Sequence, residues 1–289
     1  MTHKVHVQFP GRIVIVGFGS IGQGVLPLIL RHIGVSNDRI TVVTADDAGL
    51  EVAREMAVRF VKEPLVRGNF RQVLEPLVGR GDFVLNVSVD VSSIALIRFC
   101  WERGAMYLDT CIEPWAGGYT DPNLSAGHRT NYALREEALA LRKDNPNAPT
   151  AVVTHGANPG LVSHFVKQAL LNIAADMGVK TAVPHEKHFP HDGQRHDFGS
   201  GAAIYLMQPG AATRVRTWTP RAGHFHGFLI THGEAISISD YYTVRDGERV
   251  VYRPTSHYAY HPCDSAVVSV HEFAGRNWRL QDAKRILMN

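Results

Sequence analysis

The chain has 289 residues, 45% of them hydrophobic and 20% charged, with a formal net charge of +3. That balance excludes a disordered or fibrous chain. A net charge this small gives no overall field to draw the protein to nucleic acid or to a membrane surface. The three cysteines, Cys100, Cys111 and Cys263, lie far apart with no C-x-x-C spacing, which suits a reducing compartment better than a disulfide scaffold. The opening "MTHKVHVQFPGR" lacks the apolar stretch of a secretory signal, and no window reaches 18 consecutive apolar residues. A cytoplasmic protein is expected.

In chain order, Ile13 to Val16 reads as a buried strand. A glycine cluster follows, then a helical run from Ile21 to His32. "RITVVTADD" is a second strand and "GLEVAREMAVRF" a helix. "NFRQVLEPLVG" is another helix, "DFVLNVSVD" a strand, and "SSIALIRFCWERG" a helix with a serine cap and a closing Gly104. "AMYLDT" is a strand, 113–130 an ordered loop, "NYALREEALALRK" an amphipathic helix and "DNPNAP" a linker. "TAVVTH" is a strand that ends in "GANPG", and a long helix follows over 161–178. Beyond 181, "RVRTWT", "HGFLITHGEAISISDYYTV", "ERVVYRPT" and "AVVSVHEF" read as strands. The expected fold is α/β: a Rossmann-type, doubly wound parallel sheet over 1–150, then a second α+β domain over 151–289 on a mainly antiparallel sheet.

Gly17-Phe18-Gly19-Ser20-Ile21-Gly22 fits G-x-G-x-x-G between a strand and a helix, the context that makes this motif informative. Gly17 permits the tight turn, Gly19 the approach of a pyrophosphate, and Gly22 close packing of helix on strand. Backbone N–H groups at Ser20 and Ile21 and the helix dipole hold the anion. Asp46 and Asp47, just past the second strand, are candidates for the ribose hydroxyls. No Arg or Lys follows closely to hold a 2′-phosphate, which favours NAD over NADP. Asn86, Ser88 and Asp90 lie at a later strand end, where ligands collect in open α/β sheets.

Three further pieces end predicted strands: "YLDTCIEPW" with Asp109, Glu113 and Trp115; "THGANPG" with His155 and Asn158; and "THGEAIS" with His232 and Glu234. With "IVGFGSIGQGVLPLILRH", "NVSVDVSS", "NYALRE", "GANPGLVSHFVKQAL", "GAAIYLMQPGAATRVRTWTP" and "YRPTSHYAYHPC", they resemble the bacterial homospermidine synthases, relatives of saccharopine dehydrogenase. The resemblance covers most of 10–272. It implies NAD-dependent transfer of a 4-aminobutyl group, from putrescine or spermidine, to putrescine. The donor is oxidised to an imine, a second amine displaces ammonia, and the new imine is reduced, which regenerates NAD. It also implies that Glu113 and Glu234 face the polyamine, that Asn158 orients it and that His232 lies beside it. Asn86, Ser88 and Asp90 fall on the nicotinamide side, with Asp109 counted among the cofactor-side residues. Either Glu113 or His232 is a candidate proton acceptor. A homodimer through the second domain is implied as well.

The resemblance breaks at "TAVPH", residues 181–185. There the family carries a long segment that supplies more carboxylates and a tryptophan, and it also continues past "LQDAKRILMN". Trp115 and Trp218 are the aromatic residues at hand to replace the lost one. A shortened homologue is expected. Two other readings stay open: a saccharopine dehydrogenase-like amino-acid oxidoreductase, with Arg214 or Arg216 holding a carboxylate, and an NAD-binding homologue with impaired catalysis. The histidines of 185–196 match no metal-site spacing, and no metal is expected.

Overall fold

The computed structural model describes residues 3–179, 214–219, 223–230, 232–254, 256 and 258–261. The chain divides into two compact units: Met1–Tyr119 with Glu136–Ala157, and Thr120–Arg135 with Asn158–Asn289.

The first unit is built on a six-stranded parallel sheet. Its strands are β2 (Ile13–Val16), β4 (Ile40–Thr44), β5 (Arg59–Lys62), β6 (Phe83–Asn86), β7 (Met106–Asp109) and β8 (Ala151–Val152), in the order β5-β4-β2-β6-β7-β8. This is the doubly wound order, with β2 as the first strand and the reversal between β2 and β6. Every residue of β2 is buried, as expected of a central parallel strand covered on both faces. Registers pair Val16 with Val43 and with Asn86, and Asn86 with Asp109. The carboxyl ends of four strands are therefore level, and the candidate residues of this unit stand along one edge. The expected domain boundary at 150/151 falls just before β8, the last strand of this sheet.

α1 (Ser20–His32) follows the glycine loop, and α4 (Ser93–Arg103) follows β6. The Ser92 hydroxyl accepts from Ala95 N–H, and Gly104 closes α4 in the left-handed conformation at φ 71°. A two-stranded parallel pair, β1 (Val7–Gln8) with β3 (Ile33–Gly34), was not expected from sequence.

Two predicted elements of this unit are corrected. The helix read over "GLEVAREMAVRF" stops at Glu55, as α2 (Leu50–Glu55), and its second half is the edge strand β5. The chain turns through Ala57, whose φ of 52° breaks the helix. The helix read over "NFRQVLEPLVG" is only α3 (Phe70–Leu74). Glu75 keeps helical backbone and bonds to the Arg71 carbonyl, but Pro76 supplies no N–H to carry the ladder further.

In the second unit, α5 (Asn131–Asp144) begins and α6 (Leu161–Asp176) follows the cis Asn158–Pro159 peptide. β9 (Arg214–Thr219) and β10 (Gly223–Ile230) form an antiparallel pair that continues to β13 (Tyr258–Tyr260). β11 (Val244–Asp246) and β12 (Arg249–Tyr252) form a separate hairpin. The strand read through "HGEAISISDYY" is instead α7 (Gly233–Tyr241). Its Ala-Ile-Ser-Ile-Ser stretch alternates like a strand. Even so, His232 caps the first turn and Glu234, Ala235, Ile236 and Ser239 are buried together at helical spacing. The predicted strand "AVVSVHEF" and the histidines of 185–196 lie outside the described residues.

Candidate functional site

The glycine loop leaves β2 with Gly17 at φ +87°, and a Cβ there would stand 2.7 Å from the Ser88 backbone. Gly17 thus serves the turn and also the contact between the β2 and β6 ends. A Cβ at Gly22 would meet the Gly17 carbonyl oxygen at 2.7 Å, so close packing of α1 on the loop requires glycine. A Cβ at Gly19 would meet nothing within 4 Å among the described residues. The backbone there is open, and Ser20 and Ile21 are exposed. No side chain caps the N-terminus of α1 and its first turn holds no acid, so its N–H groups and dipole are available to an anion.

At the β4 end, Asp46 accepts from Ala48 N–H at 2.9 Å. Asp47 is ion-paired with Lys62, the last residue of β5. This lysine was hidden from sequence reading, because placing it required recognition of β5. Its charge is matched by Asp47, and Asp46 adds a further negative charge, an arrangement that suits ribose hydroxyls better than a 2′-phosphate.

Asn86, expected on the cofactor side, is buried and turned inward. Its amide donates to the Tyr107 hydroxyl at 3.1 Å, and its carbonyl accepts from the Ser88 hydroxyl at 2.6 Å. Tyr107 donates in turn to Asp109 at 2.9 Å. The other Asp109 oxygen accepts from Thr154 N–H at 2.6 Å. Asp109, expected on the cofactor side, is 0% exposed. Through Tyr107 and Thr154 its side chain braces the ends of β6, β7 and β8. Burial pushes its carboxyl above the usual range, opposed by the bonds from Thr154, Ser93 and Tyr107. Burial and the Asp109 charge hold the Tyr107 phenol well above its ordinary value.

Ser93 extends this brace to Glu113: Glu113 N–H donates to the Ser93 hydroxyl at 3.0 Å, and Ser93 N–H to the Glu113 carbonyl at 2.9 Å. The half-buried Glu113 carboxyl is raised first by burial and then by the charges of Asp90 and Asp109. Hydrogen bonds from Cys111 and Tyr119 pull the other way. The Tyr119 hydroxyl, a single donor shared between Glu113 and the Ile112 carbonyl, lies 3.2 Å from that carbonyl. Asp90 holds a left-handed backbone at φ 62°, an uncommon conformation for a residue other than glycine. Trp115 packs on Phe70 with ring centroids 5.3 Å apart, so part of its aromatic surface is committed internally.

In the second unit, Glu234 and His232 come together at the start of α7. Glu234 is 5% exposed. Its Oε1 accepts from both the N–H and the hydroxyl of Ser163, each at 2.8 Å. Oε2 is buried and has no hydrogen-bond partner among the described residues. A buried, half-satisfied carboxylate is costly unless a ligand completes it. His232 accepts the Glu234 N–H at Nδ1, at 3.2 Å, and stacks on Tyr258 with centroids 4.1 Å apart. Because Nδ1 accepts, the neutral ring carries its proton on Nε2. Burial lowers the His232 pKa, against the opposing charge of Glu234. Asn158 is exposed just ahead of α6, and Trp218 and Arg216 are exposed on β9. Sequence reading missed Ser163, because its pairing with Glu234 spans 71 residues.

Comparison with known proteins shows the family. The chain is 41% identical to the homospermidine synthase of Blastochloris viridis, over 98% of this chain and 74% of that protein. The chain belongs to the homospermidine synthase family. The homospermidine synthase of Mesorhizobium japonicum is 38% identical, over 98% of this chain and 72% of that one. The crystal structure of the Legionella pneumophila homospermidine synthase in complex with NAD matches with a TM-score of 0.73 and 32% identity, over 96% of this chain and 71% of that one. Residues 13–153 match the saccharopine dehydrogenase NADP binding domain. The alignment with the Blastochloris homospermidine synthase runs to 352 positions, more than this chain has residues. That relative therefore carries internal residues absent here, as expected of a shortened homologue. The break expected at 181–185 lies outside the described residues.

The family description names NADP, while the solved relative holds NAD. The acids beyond β4 side with NAD. If Asp46 holds the ribose, Asp46→Ala is expected to weaken NAD binding about tenfold, the worth of a charge-assisted hydrogen bond. It is also expected to narrow the preference over NADP. Parallel titrations of the two nucleotides check both.

Proposed function

We propose that this homospermidine synthase homologue transfers a 4-aminobutyl group from putrescine or spermidine to putrescine, with NAD as a bound cofactor. The observation that carries the reading is the buried Glu234 oxygen without a partner among the described residues, in a chain that also presents the open glycine loop of a dinucleotide site. The cofactor supplies hydride acceptance from the amine-bearing carbon, and later hydride return to the same carbon. The first-turn N–H groups of α1 would hold its pyrophosphate and Asp46 its ribose. Ser88 and Asp90 stand at the β6 end, on the nicotinamide side. Asp109, Tyr107 and Asn86 are positioning residues that keep these strand ends fixed.

The amine substrate is a dication at neutral pH, so its site needs carboxylates. Glu234 Oε2 receives one ammonium, and a carboxylate about 4 Å from an ammonium gains roughly 4 kcal/mol at an effective dielectric near 20, before desolvation costs. Asn158 orients the chain of the amine. One ammonium must lose a proton before hydride can leave its carbon. Of the two candidate acceptors, the geometry favours Glu113. Neutral His232 holds its proton on Nε2 and uses Nδ1 as a helix cap, so it can take a proton only by giving up that cap. Glu113 keeps a carboxylate whose raised pKa makes it a stronger base than an ordinary glutamate. No net oxidation results, because the hydride that leaves in forming the first imine returns in reducing the second.

Among the described residues no helix is long and apolar enough to cross a membrane. The reading makes the protein a cytoplasmic homodimer acting on small diamines. Putrescine deuterated beside nitrogen tests the hydride cycle. Homospermidine should keep the full deuterium content at the newly bonded carbon, and loss to solvent or to free cofactor would oppose the cycle.

A further inference from the structure

The Ser163–Glu234 contact has a chemical consequence for substrate choice. An ionised carboxylate offers two oxygens with about two acceptor sites each. Both sites of Glu234 Oε1 are used by Ser163: the N–H at 2.8 Å and the hydroxyl at 2.8 Å. The same N–H also reaches the Gly160 carbonyl at 3.1 Å, so the hydroxyl is the undivided donor. Oε2 is buried with no partner among the described residues. What is left for a ligand is one oxygen rather than a carboxylate edge. A guanidinium reads carboxylates with two parallel N–H bonds, one to each oxygen, whereas a primary ammonium is a compact charge satisfied by a single oxygen.

We propose that Ser163 is a specificity-determining residue: by occupying Oε1 of Glu234 it leaves a one-oxygen acceptor that selects a primary ammonium over a guanidinium. The inference rests on the reading that Glu234 receives the substrate amine. It deepens that reading by excluding a class of close analogues, the diamines in which one amine is replaced by guanidine. Removing the Ser163 hydroxyl reopens one acceptor site on Oε1 and so admits the second guanidinium bond.

The test uses the full chain with NAD bound, and measures dissociation constants for putrescine and for agmatine, its mono-guanidino analogue. The wild-type protein should favour putrescine. Ser163→Ala should narrow that preference by about tenfold, the worth of one charge-assisted hydrogen bond. Ser163→Gly removes the same hydroxyl and should agree with it, and Ser163→Thr, which keeps a hydroxyl, should restore the wild-type ratio. A purely structural role would lower thermal stability and weaken both ligands alike. Glu234→Gln separates the two levels of the argument. If it leaves putrescine binding unchanged, the amine reading of Glu234 fails, and this inference with it. If it weakens putrescine while Ser163→Ala and Ser163→Gly leave the ratio unchanged, only the specificity role is overturned.

Discussion

Gly17→Ala is expected to abolish measurable NAD binding and to lower thermal stability. Two effects add. The backbone at φ +87° costs a residue bearing Cβ roughly 1–2 kcal/mol. The new methyl would also stand 2.7 Å from the Ser88 backbone, which cannot swing aside as a side-chain tip can. The loop must therefore move off the β6 end, and the N–H groups that would hold the pyrophosphate move with it. Overpacking of this kind costs about 1–3 kcal/mol more. Gly19→Ala is the informative contrast. Gly19 has an ordinary φ of −73° and open space around it, so its methyl meets only the ligand. That variant should keep the wild-type melting temperature and still lose NAD affinity. Calorimetric titration with thermal melts of the two variants checks this. Equal melting temperatures for Gly17→Ala and wild type would contradict the account of the turn.

Glu113→Gln is expected to lower turnover by about a thousandfold, within the range for removal of a general base, and to leave NAD affinity unchanged. The side chain is held from several directions. Ser93 fixes its backbone on both sides, while Cys111 and Tyr119 donate to the carboxylate. Glutamine matches the shape but is neutral, cannot accept the proton and replaces one acceptor oxygen with an amide donor. The sign of the pH dependence follows from the direction of the shift. A base must be deprotonated to act, and the Glu113 pKa is raised, chiefly by burial. Wild-type kcat/KM should therefore fall as pH drops through a value above the ordinary glutamate range. Residual activity of Glu113→Gln should lack that limb. If His232→Gln removed the limb while Glu113→Gln kept it, the assignment of the base would be reversed.

The features readable in the sequence were those whose physics is local. A buried strand, three glycines and a helix sit within twenty residues, so the dinucleotide loop could be read directly. The strand ends that carry Asn86, Asp90, Asp109 and Glu113 followed from the alternation of strand and helix. What failed depended on distant contacts. β5 was read as helix because Ala57 breaks the pattern through its backbone conformation alone, and Lys62 was lost with it. α7 was read as strand because its Ile-Ser alternation mimics a pleat, while its actual anchor is Glu234 docked on the start of α6. The inward turn of Asp109 was equally illegible, since Thr154, which encloses it with Tyr107, is 45 residues away in the chain.

The central claim is that this shortened chain carries out the full oxidation, exchange and reduction cycle. Its most direct test is to incubate the purified protein with putrescine as the sole amine and NAD well below the diamine concentration, then quantify homospermidine, ammonia and NADH together. The account predicts homospermidine and ammonia in equal amounts, many turnovers per NAD and no accumulation of NADH. NAD binding with no homospermidine, or NADH rising in step with consumed amine, would contradict it.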